Sequence, residues 1–132
     1  MSLERKVRAY VAAVEGGAVG DDLAAFYHPD AVQYEFPNRL IPRGAQRDLA
    51  AILEGAERGT KLMDRQIYDI HTLTEVGDRV ILAVHAVIEV FLEEAANARA
   101  RLDTDVVLAA GKHGGAAEVL SLIHISEPTR PY

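Results

Sequence analysis

The segment from Ala24 to Asn38 most constrains the fold of this chain, because it changes abruptly from helical to strand periodicity. Its first residues complete an apolar helical stripe that ends at Phe26 and Tyr27. Pro29 then stops the helix, since proline lacks the amide proton that a helix interior requires. The residues after this turn alternate between apolar and polar side chains, as in a half-buried strand. A helix that turns directly into such a strand predicts a helical layer packed on a sheet.

Apolar residues at helical spacing predict two further helices, one on each side of this segment. The first covers residues 3–14 and is expected to end at Gly16-Gly17, and the other covers residues 49–56 and is expected to end at Gly59. The short second helix, before Pro29, is expected to be capped by Asp21 or Asp22, because an aspartate side chain accepts hydrogen bonds from the amides of a first helical turn.

From Met63 onward the apolar period changes from helical spacing to two. This predicts strands over residues 63–74, 79–91 and 98–110, joined by turns at 75–78 and 93–97 and closed by Gly111. The order of elements predicts the α+β class, with three N-terminal helices on one face of a curved antiparallel sheet.

The alternation along each predicted strand indicates which side chains face the helices. In the strand over residues 31–36, the apolar Val32, Tyr34 and Phe36 are expected to face the helices, and Gln33 and Glu35 are expected to face away. In the strand over residues 79–91, the even positions are wholly apolar and are expected to face the helices. The odd positions Ile81, Ala83, His85, Val87 and Phe91 should face outward, yet all of them except His85 are apolar. Such a face predicts a homodimer that packs through it.

Composition limits the class of protein. A chain of 132 residues with 49% apolar and 26% charged residues suits one domain, which we expect over residues 1–119. The net charge of -6 opposes binding to nucleic acid, and no apolar run is long enough to span a membrane. The absence of cysteine excludes disulfides and thiolate metal sites, and with the charged N-terminus it favours the cytoplasm.

The C-terminal segment Leu120–Arg130 resembles the translation of the transposase mosaic-end adapter used in sequencing libraries. We therefore predict that residues 120–132 are a non-native tail and that the last strand of the domain is missing or replaced. Residues 117–126 nevertheless alternate as a strand does, so we expect them to pair with the sheet edge that a lost strand would leave.

Three features together carry a family resemblance over about residues 3 to 112. They are the helix-turn-strand of Ala24 to Pro37, the Arg43-Gly44 entry into the third helix, and the hairpin Val76-Gly77-Asp78-Arg79-Val80. With these features the chain resembles the SnoaL-like proteins of the nuclear transport factor 2-like superfamily, whose relatives include polyketide cyclases and ketosteroid isomerases. The resemblance implies a cone-shaped sheet around a pocket that binds a small, largely apolar molecule without a cofactor. The residues expected to line it are Phe26, Tyr27, Val32, Phe36, Val84, Ala86 and Leu102.

The ketosteroid isomerases suggest roles for individual residues, since their mechanism uses a carboxylate base and an oxyanion hole made by a tyrosine and a protonated aspartate. The resemblance aligns Tyr10 with the tyrosine, Phe36 with the base and Asp103 with the aspartate. Strand alternation turns Asp103 outward, although a β-bulge would turn it inward. Tyr10, Tyr34 and Asp103 are the candidate catalytic residues. Phe36→Asp is the informative substitution, because a gain of isomerisation of a 3-oxo-Δ5 steroid would show that the scaffold is that of an isomerase and that the chemistry was lost.

Two classes of function stay open. One is a cofactor-free isomerase, cyclase or hydrolase acting on a small apolar carbonyl compound, which Tyr10 and Tyr34 would polarise. The other is a ligand-binding or accessory module without turnover. An inward-facing carboxylate near Tyr10 would favour the enzyme, and a wholly apolar pocket would favour the binding module. Asp69 and His71 stand two apart on a strand, but no third ligand accompanies them, so no metal site is predicted.

Overall fold

The computed structural model describes residues 3–37, 41–91, 99–113 and 116–121, but not the side chains of residues 91, 99, 100, 102, 104, 112, 113 and 116–121. The helices in these ranges are α1 (Leu3–Glu15), α2 (Gly20–Ala24) and α3 (Leu49–Leu62). The strands are β1 (Val32–Glu35), β2 (Ala45–Asp48), β3 (Met63–Val76), β4 (Arg79–Phe91), β5 (Arg99–His113) and β6 (Ala116–Ser121).

The helix α1 forms where its apolar stripe predicts, and it buries Val7 and Val11. It ends at the two glycines as expected. Gly17 has a positive φ of 80°, which glycine adopts without a steric penalty. Its amide donates to the Val14 carbonyl at 3.0 Å and so satisfies one of the free acceptors at the helix end.

The other two helices differ from the prediction at their ends. In α2, Asp21 and Asp22 lie inside the first turn, and the capping position belongs to Val19, which makes no side-chain hydrogen bond. In α3 the cap is Asp48, whose carboxylate accepts from the Ala51 amide at 2.9 Å. Gly59 does not end α3, because the helix continues to Leu62 and directly into β3.

The strand β2 was not predicted, because its sequence, Ala45-Gln46-Arg47-Asp48, has no strand-like pattern of apolar residues. It is antiparallel to β1 and lies at one edge of a six-stranded sheet with the order β2-β1-β6-β5-β4-β3. Adjacent strands pair antiparallel except for β1 and β6, which run parallel. The strand β1 is thus paired with β2 on one side and with β6 on the other. We call β1 and β2 together the β1–β2 ribbon.

The long strands carry the core at the other end of the sheet. The hairpin from β3 to β4 turns at Gly77, whose φ is 61°, in agreement with the predicted turn. The even positions Val80, Leu82, Val84 and Ala86 of β4 are buried as predicted, and the first three pack with Val7 and Val11 of α1. The predicted turn at residues 93–97 lies outside the described residues.

Gly111 was predicted to end the last long strand, yet β5 continues past it to His113. A Cβ at Gly111 would lie 2.7 Å from Arg79 Cγ and 3.0 Å from the Asp78 carbonyl oxygen. Glycine is therefore needed here for the close approach of the β3–β4 turn and not to stop a strand.

The sixth strand occupies the place where the last strand was expected to be missing or replaced. It pairs with both β1 and β5, and its final residues, Leu120 and Ser121, come from the adapter-like segment. Whether residues 120–132 are native stays a prediction, and residues 122–132 lie outside the described part of the chain. The predicted α+β class, with N-terminal helices packed on a largely antiparallel sheet, is confirmed.

The burial pattern of β4 predicts a sharp difference between neighbouring residues. Leu82→Ala should lower the free energy of unfolding by about 2–5 kcal/mol, because Leu82 is 1% exposed and truncation leaves a cavity. Ile81→Ala should cost about 1 kcal/mol or less, because Ile81 is 45% exposed on the other face. Urea unfolding of both variants, at a concentration low enough for the protein to be monomeric, measures the difference, and equal losses would contradict the assigned facing of β4.

Candidate functional site

A cavity of about 370 Å³ lies between the three helices and the β1–β2 end of the sheet. Its apolar wall is formed by side chains of all three helices, among them Val14, Leu23 and Ile52. Its polar wall consists mainly of Tyr10, Tyr27, Gln33, Glu35, Arg47 and Gln66. The volume is in the range of small-molecule sites, and a few polar groups set in an apolar wall are typical of them.

Two tyrosine hydroxyls form a pair in this cavity. The Tyr10 and Tyr27 hydroxyl oxygens are 2.5 Å apart, so one donates its proton to the other. Their rings meet edge to face with centroids 5.6 Å apart, and Phe26 packs against Tyr10 in the same way at 5.8 Å. Burial raises the pKa of both hydroxyls. Both tyrosines are therefore neutral at ordinary pH. One hydroxyl of the pair keeps its O–H available to donate a hydrogen bond to a ligand oxygen.

A second polar arrangement joins α1 to β3 beside this pair. The Tyr68 hydroxyl donates to Gln66 Oε1 at 2.8 Å, and Gln66 Nε2 donates to the Val14 carbonyl at 2.8 Å. Burial, followed by the nearby Tyr10 and Glu15, raises the pKa of Tyr68 to about 12. The Gln66 side chain is thereby held in one orientation at the cavity wall.

The third polar element is an ion pair on the β1–β2 ribbon. Arg47 Nη1 donates to Glu35 Oε1 at 3.0 Å and to Gln33 Oε1 at 3.1 Å. The Glu35 side chain is 10% exposed and that of Arg47 is 26% exposed, so the pair is largely shielded from solvent. The cavity therefore holds neutral hydroxyl donors and a carboxylate, which are the groups needed to move a proton next to a polarised carbonyl.

The predicted facing of β1 was inverted. Gln33 and Glu35 line the cavity, whereas Tyr34 and Phe36 line a groove elsewhere and Phe36 is 43% exposed. The prediction placed the apolar set inward, but here the inward face meets a polar cavity instead of an apolar core. Tyr34 therefore does not accompany Tyr10, and Phe36→Asp would not put a base in the cavity.

The other residues expected to line the pocket divide into two groups. Tyr27 lines the cavity, and Phe26 reaches it only through its contact with Tyr10. Val84 is buried in the core against α1, and Ala86 is buried one position along the same face, so neither is among the described lining of this cavity. Val32 is half-buried in β1, and the Leu102 side chain lies outside the described part of the chain.

Asp103 lies on the outer face of the sheet, as strand alternation indicated. It is opposite Val87 in a β4–β5 register that continues without interruption from Arg79 to Phe91, so no bulge turns it inward. Its carboxylate accepts from Arg101 Nε at 3.1 Å and is 3.3 Å from His85 Nε2. The bond from Arg101 lowers the pKa of Asp103, and the contact with Asp105 raises the pKa of His85. The isomerase-like pair of Tyr10 and Asp103 is therefore not assembled.

The residues that the sequence analysis missed are Glu35, Arg47 and Gln66. Arg47 could not be placed because β2 was not recognised, and its partner Glu35 had been assigned to the other face. The available signal was local: Gln33 and Glu35 stand two apart on one strand, which puts two polar side chains on one face.

The described ranges contain neither a cluster of metal ligands nor a helix that could span a membrane. No group of three or more His, Cys, Asp or Glu side chains there could hold a metal ion. No helix in the same part of the chain has the length and apolar character that crossing a membrane requires.

The raised tyrosine pKa values predict how stability depends on pH. The unfolded chain releases tyrosine protons above about pH 10, whereas the folded protein retains them. The free energy of unfolding should therefore decline from about pH 10 and continue to fall through the folded pKa, about 12 for Tyr68. Urea unfolding between about pH 9 and pH 11 measures the slope. Tyr68→Phe should flatten it, and an unchanged slope in that variant would contradict the assignment.

Comparison with known proteins identifies the fold. A crystal structure of a candidate SnoaL-like polyketide cyclase from Shewanella denitrificans matches with a TM-score of 0.73 at 13% identity, over 91% of this chain and 88% of that chain. IdmH, a candidate polyketide cyclase from Streptomyces antibioticus, matches with 0.69 at 14% identity, over 89% and 88%. AclR, a candidate hydroxylase from Streptomyces galilaeus, matches with 0.68 at 16% identity, over 92% and 78%.

At these identities the structural matches show the fold alone, and a comparison with curated protein sequences gave no match. The family is shown by sequence, because the model of the SnoaL-like domain matches residues 7–121. Proteins of this family bind small molecules, and the structural matches share the helix-covered sheet described above. The chain belongs to the SnoaL-like domain family, within the nuclear transport factor 2-like superfamily.

Proposed function

We propose that the protein is a cofactor-free enzyme that enolises a small, largely apolar carbonyl compound bound in the cavity. The observation that carries this proposal is that one cavity holds both the Tyr10–Tyr27 hydroxyl pair and the Glu35 carboxylate. Enolisation requires both kinds of group, because a base must take a proton from carbon while a donor stabilises the oxygen that gains charge.

The tyrosine pair serves as the oxyanion donor. One hydroxyl of the pair donates to the other, so the second proton is left for the ligand's carbonyl oxygen. Because burial raises both pKa values, the hydroxyls stay protonated and donate instead of acting as bases. Donors fixed before the reaction stabilise the enolate without reorganisation, and each is worth about 10²–10³ in rate.

Glu35 serves as the base. Its carboxylate takes a proton from the carbon next to the carbonyl, the C–H electron pair becomes the enolate double bond, and the carbonyl oxygen gains the negative charge. Return of the proton to a different carbon completes an isomerisation, and attack of the enolate carbon on a second carbonyl would instead complete a cyclisation. Arg47 fixes the orientation of Glu35 from the neighbouring strand and acts as a positioning residue.

One observation favours the second function, a ligand-binding module without turnover. Arg47 donates to Glu35 at 3.0 Å, which balances the carboxylate charge and occupies one of its acceptor sites. In this alternative Arg47 and Glu35 only shape the polar wall, and the tyrosine pair holds the ligand oxygen. The two functions predict the same ligand and differ in turnover.

We also propose that the native protein is a cytoplasmic homodimer. The outer sheet face supports this, since Ile81 is 45% exposed and the half-buried Ala83 and Val87 extend the same apolar surface along β4. A monomeric protein seldom exposes a continuous apolar surface of this kind to water.

A proton-transfer assay tests the enzyme. With 3-cyclohexen-1-one, formation of the conjugated 2-cyclohexen-1-one is followed by its absorbance. Glu35→Gln should slow the reaction about 10²–10⁴-fold, and Tyr10→Phe about 10²–10³-fold. The matched control is Glu57→Gln, because Glu57 is exposed on α3 outside the described cavity lining and its loss should leave the rate unchanged.

Binding of 2-naphthol, measured by calorimetry, separates the two functions. If it binds more weakly to Tyr10→Phe but the parent protein converts no β,γ-unsaturated ketone faster than buffer does, the enzyme proposal is wrong and the binding module is right. A full rate in Glu35→Gln would remove Glu35 as the base.

A charge on the outer face tests the dimer. Val87→Lys should shift the protein from dimer to monomer in sedimentation equilibrium, because the lysine would have to lose its hydration in the interface. Glu57→Lys, which places the same side chain on α3, should leave the mass unchanged. A monomeric parent protein at micromolar concentration would rule the dimer out.

A further inference from the structure

The β1–β2 ribbon carries a second concave surface that the cavity does not use. In the ribbon, Gln33 is opposite Arg47 and Tyr34 is opposite Gln46. Adjacent positions of a strand point to opposite faces, so the Tyr34–Gln46 pair lies across the ribbon from the Gln33–Arg47 pair of the cavity. A groove of about 550 Å³ lies on that side, lined by Tyr34, Phe36, Pro37, Arg43, Gly44 and Gln46, with Glu35 and Ala45.

The groove has an aromatic wall. Phe36 follows the end of β1 and is 43% exposed, and Tyr34 beside it is half-buried. Two aromatic residues with open surface in one concavity form a contact area for a planar apolar group, because rings gain from stacking as well as from burial.

Gly44 fixes the shape of the groove. Its φ is +69°, and a Cβ there would lie 2.5 Å from the Glu35 carbonyl oxygen and 3.1 Å from the Pro37 nitrogen. The Gly44 amide also donates to the Ile41 carbonyl at 2.9 Å. The turn that contains Arg43 is thereby held against the end of β1, which brings Arg43 and Phe36 to the same groove.

The exposed charge in the described lining of the groove is positive. Arg43 is exposed and lines it. Glu35 is the one carboxylate among the described lining residues, and its side chain is 10% exposed and bonded to Arg47, which lines the cavity on the other side of the ribbon. The Glu35 charge is therefore balanced within the ribbon, so an anion in the groove meets Arg43 without strong repulsion. The Gln46 amide adds a neutral donor on the same face.

We propose that this groove is a second ligand site, separate from the cavity, for a small aromatic anion such as an aryl carboxylate. The ring packs on Tyr34 and Phe36, and the carboxylate pairs with the Arg43 guanidinium, which can donate two parallel hydrogen bonds. The site lies across the ribbon from the cavity, so it stands whether or not the cavity catalyses a reaction.

Calorimetry with 2-naphthoate and its neutral analogue 2-naphthamide tests the site. Arg43→Gln should weaken naphthoate binding about 10- to 100-fold, as expected for loss of a charge-assisted bond, and should change naphthamide binding little. Phe36→Ala should weaken the binding of both compounds. Arg65→Gln, an exposed arginine on β3, and Tyr10→Phe, in the cavity, should leave naphthoate binding unchanged. Because Arg43 and Phe36 are exposed, both groove variants should keep the parent's circular dichroism spectrum.

Three results would overturn the proposal. The parent protein could fail to bind naphthoate at millimolar concentration. Binding could respond to Tyr10→Phe or to Arg58→Gln, and since both residues line the cavity, this would assign the anion to the cavity instead. Finally, sedimentation could show a dimer that Arg43→Gln dissociates, which would assign the groove to a second copy of the chain.

Discussion

The contact between α1 and the inner face of β4 holds the helical and sheet layers together. Val7 and Val11 are one helical turn apart, and they pack on Val80, Leu82 and Val84, which alternate along the strand and are at most 2% exposed. Burial at this level removes nearly all the apolar surface from water. A second cluster, formed by Leu23, Tyr27, Ala31 and Ile52, closes the other end of the helical layer. Tyr10 packs against both clusters, so its hydroxyl is held at the boundary between core and cavity.

The sheet forms part of the apolar core at one end and part of the cavity lining at the other, and the β1–β2 ribbon accounts for the difference. Where β4 meets α1, the inner face is apolar and packed. Where the ribbon meets α3, the inner face is polar, and its Arg47 bridges Gln33 and Glu35 across the strands. The helices cannot close on such a face without burying charge in an apolar contact, which is costly. An open cavity between the ribbon and the helices avoids that cost.

The sequence predicted the fold well and the site only in part, for physical reasons. Strong apolar periodicity and the glycines at Gly17 and Gly77 located α1 and the β3–β4 hairpin, because burial of one face fixes both patterns. The strand β2 was not predicted because a short polar edge strand has no such pattern. Its pairing with β1 depends on tertiary contacts and not on its own sequence. The rule that apolar residues face inward failed at β1, where the inward face borders a polar cavity. The contact between Glu35 and Arg47 could be predicted only from the pairing of β1 with β2, which no local sequence pattern indicates.

The Glu35–Arg47 pair is better explained by a ligand than by stability. Removing two charges from water costs several kcal/mol each, and an apolar pair of similar volume is often as stable or more so. Apolar side chains at these positions would also have let α3 pack directly on the ribbon and close the cavity. The same cavity has Tyr10 and Tyr27 in its wall, although phenylalanine would fill the same space without a buried polar group to satisfy. All four of these polar side chains line one space, and this concentration supports the proposal that the cavity binds a molecule whose oxygen they recognise.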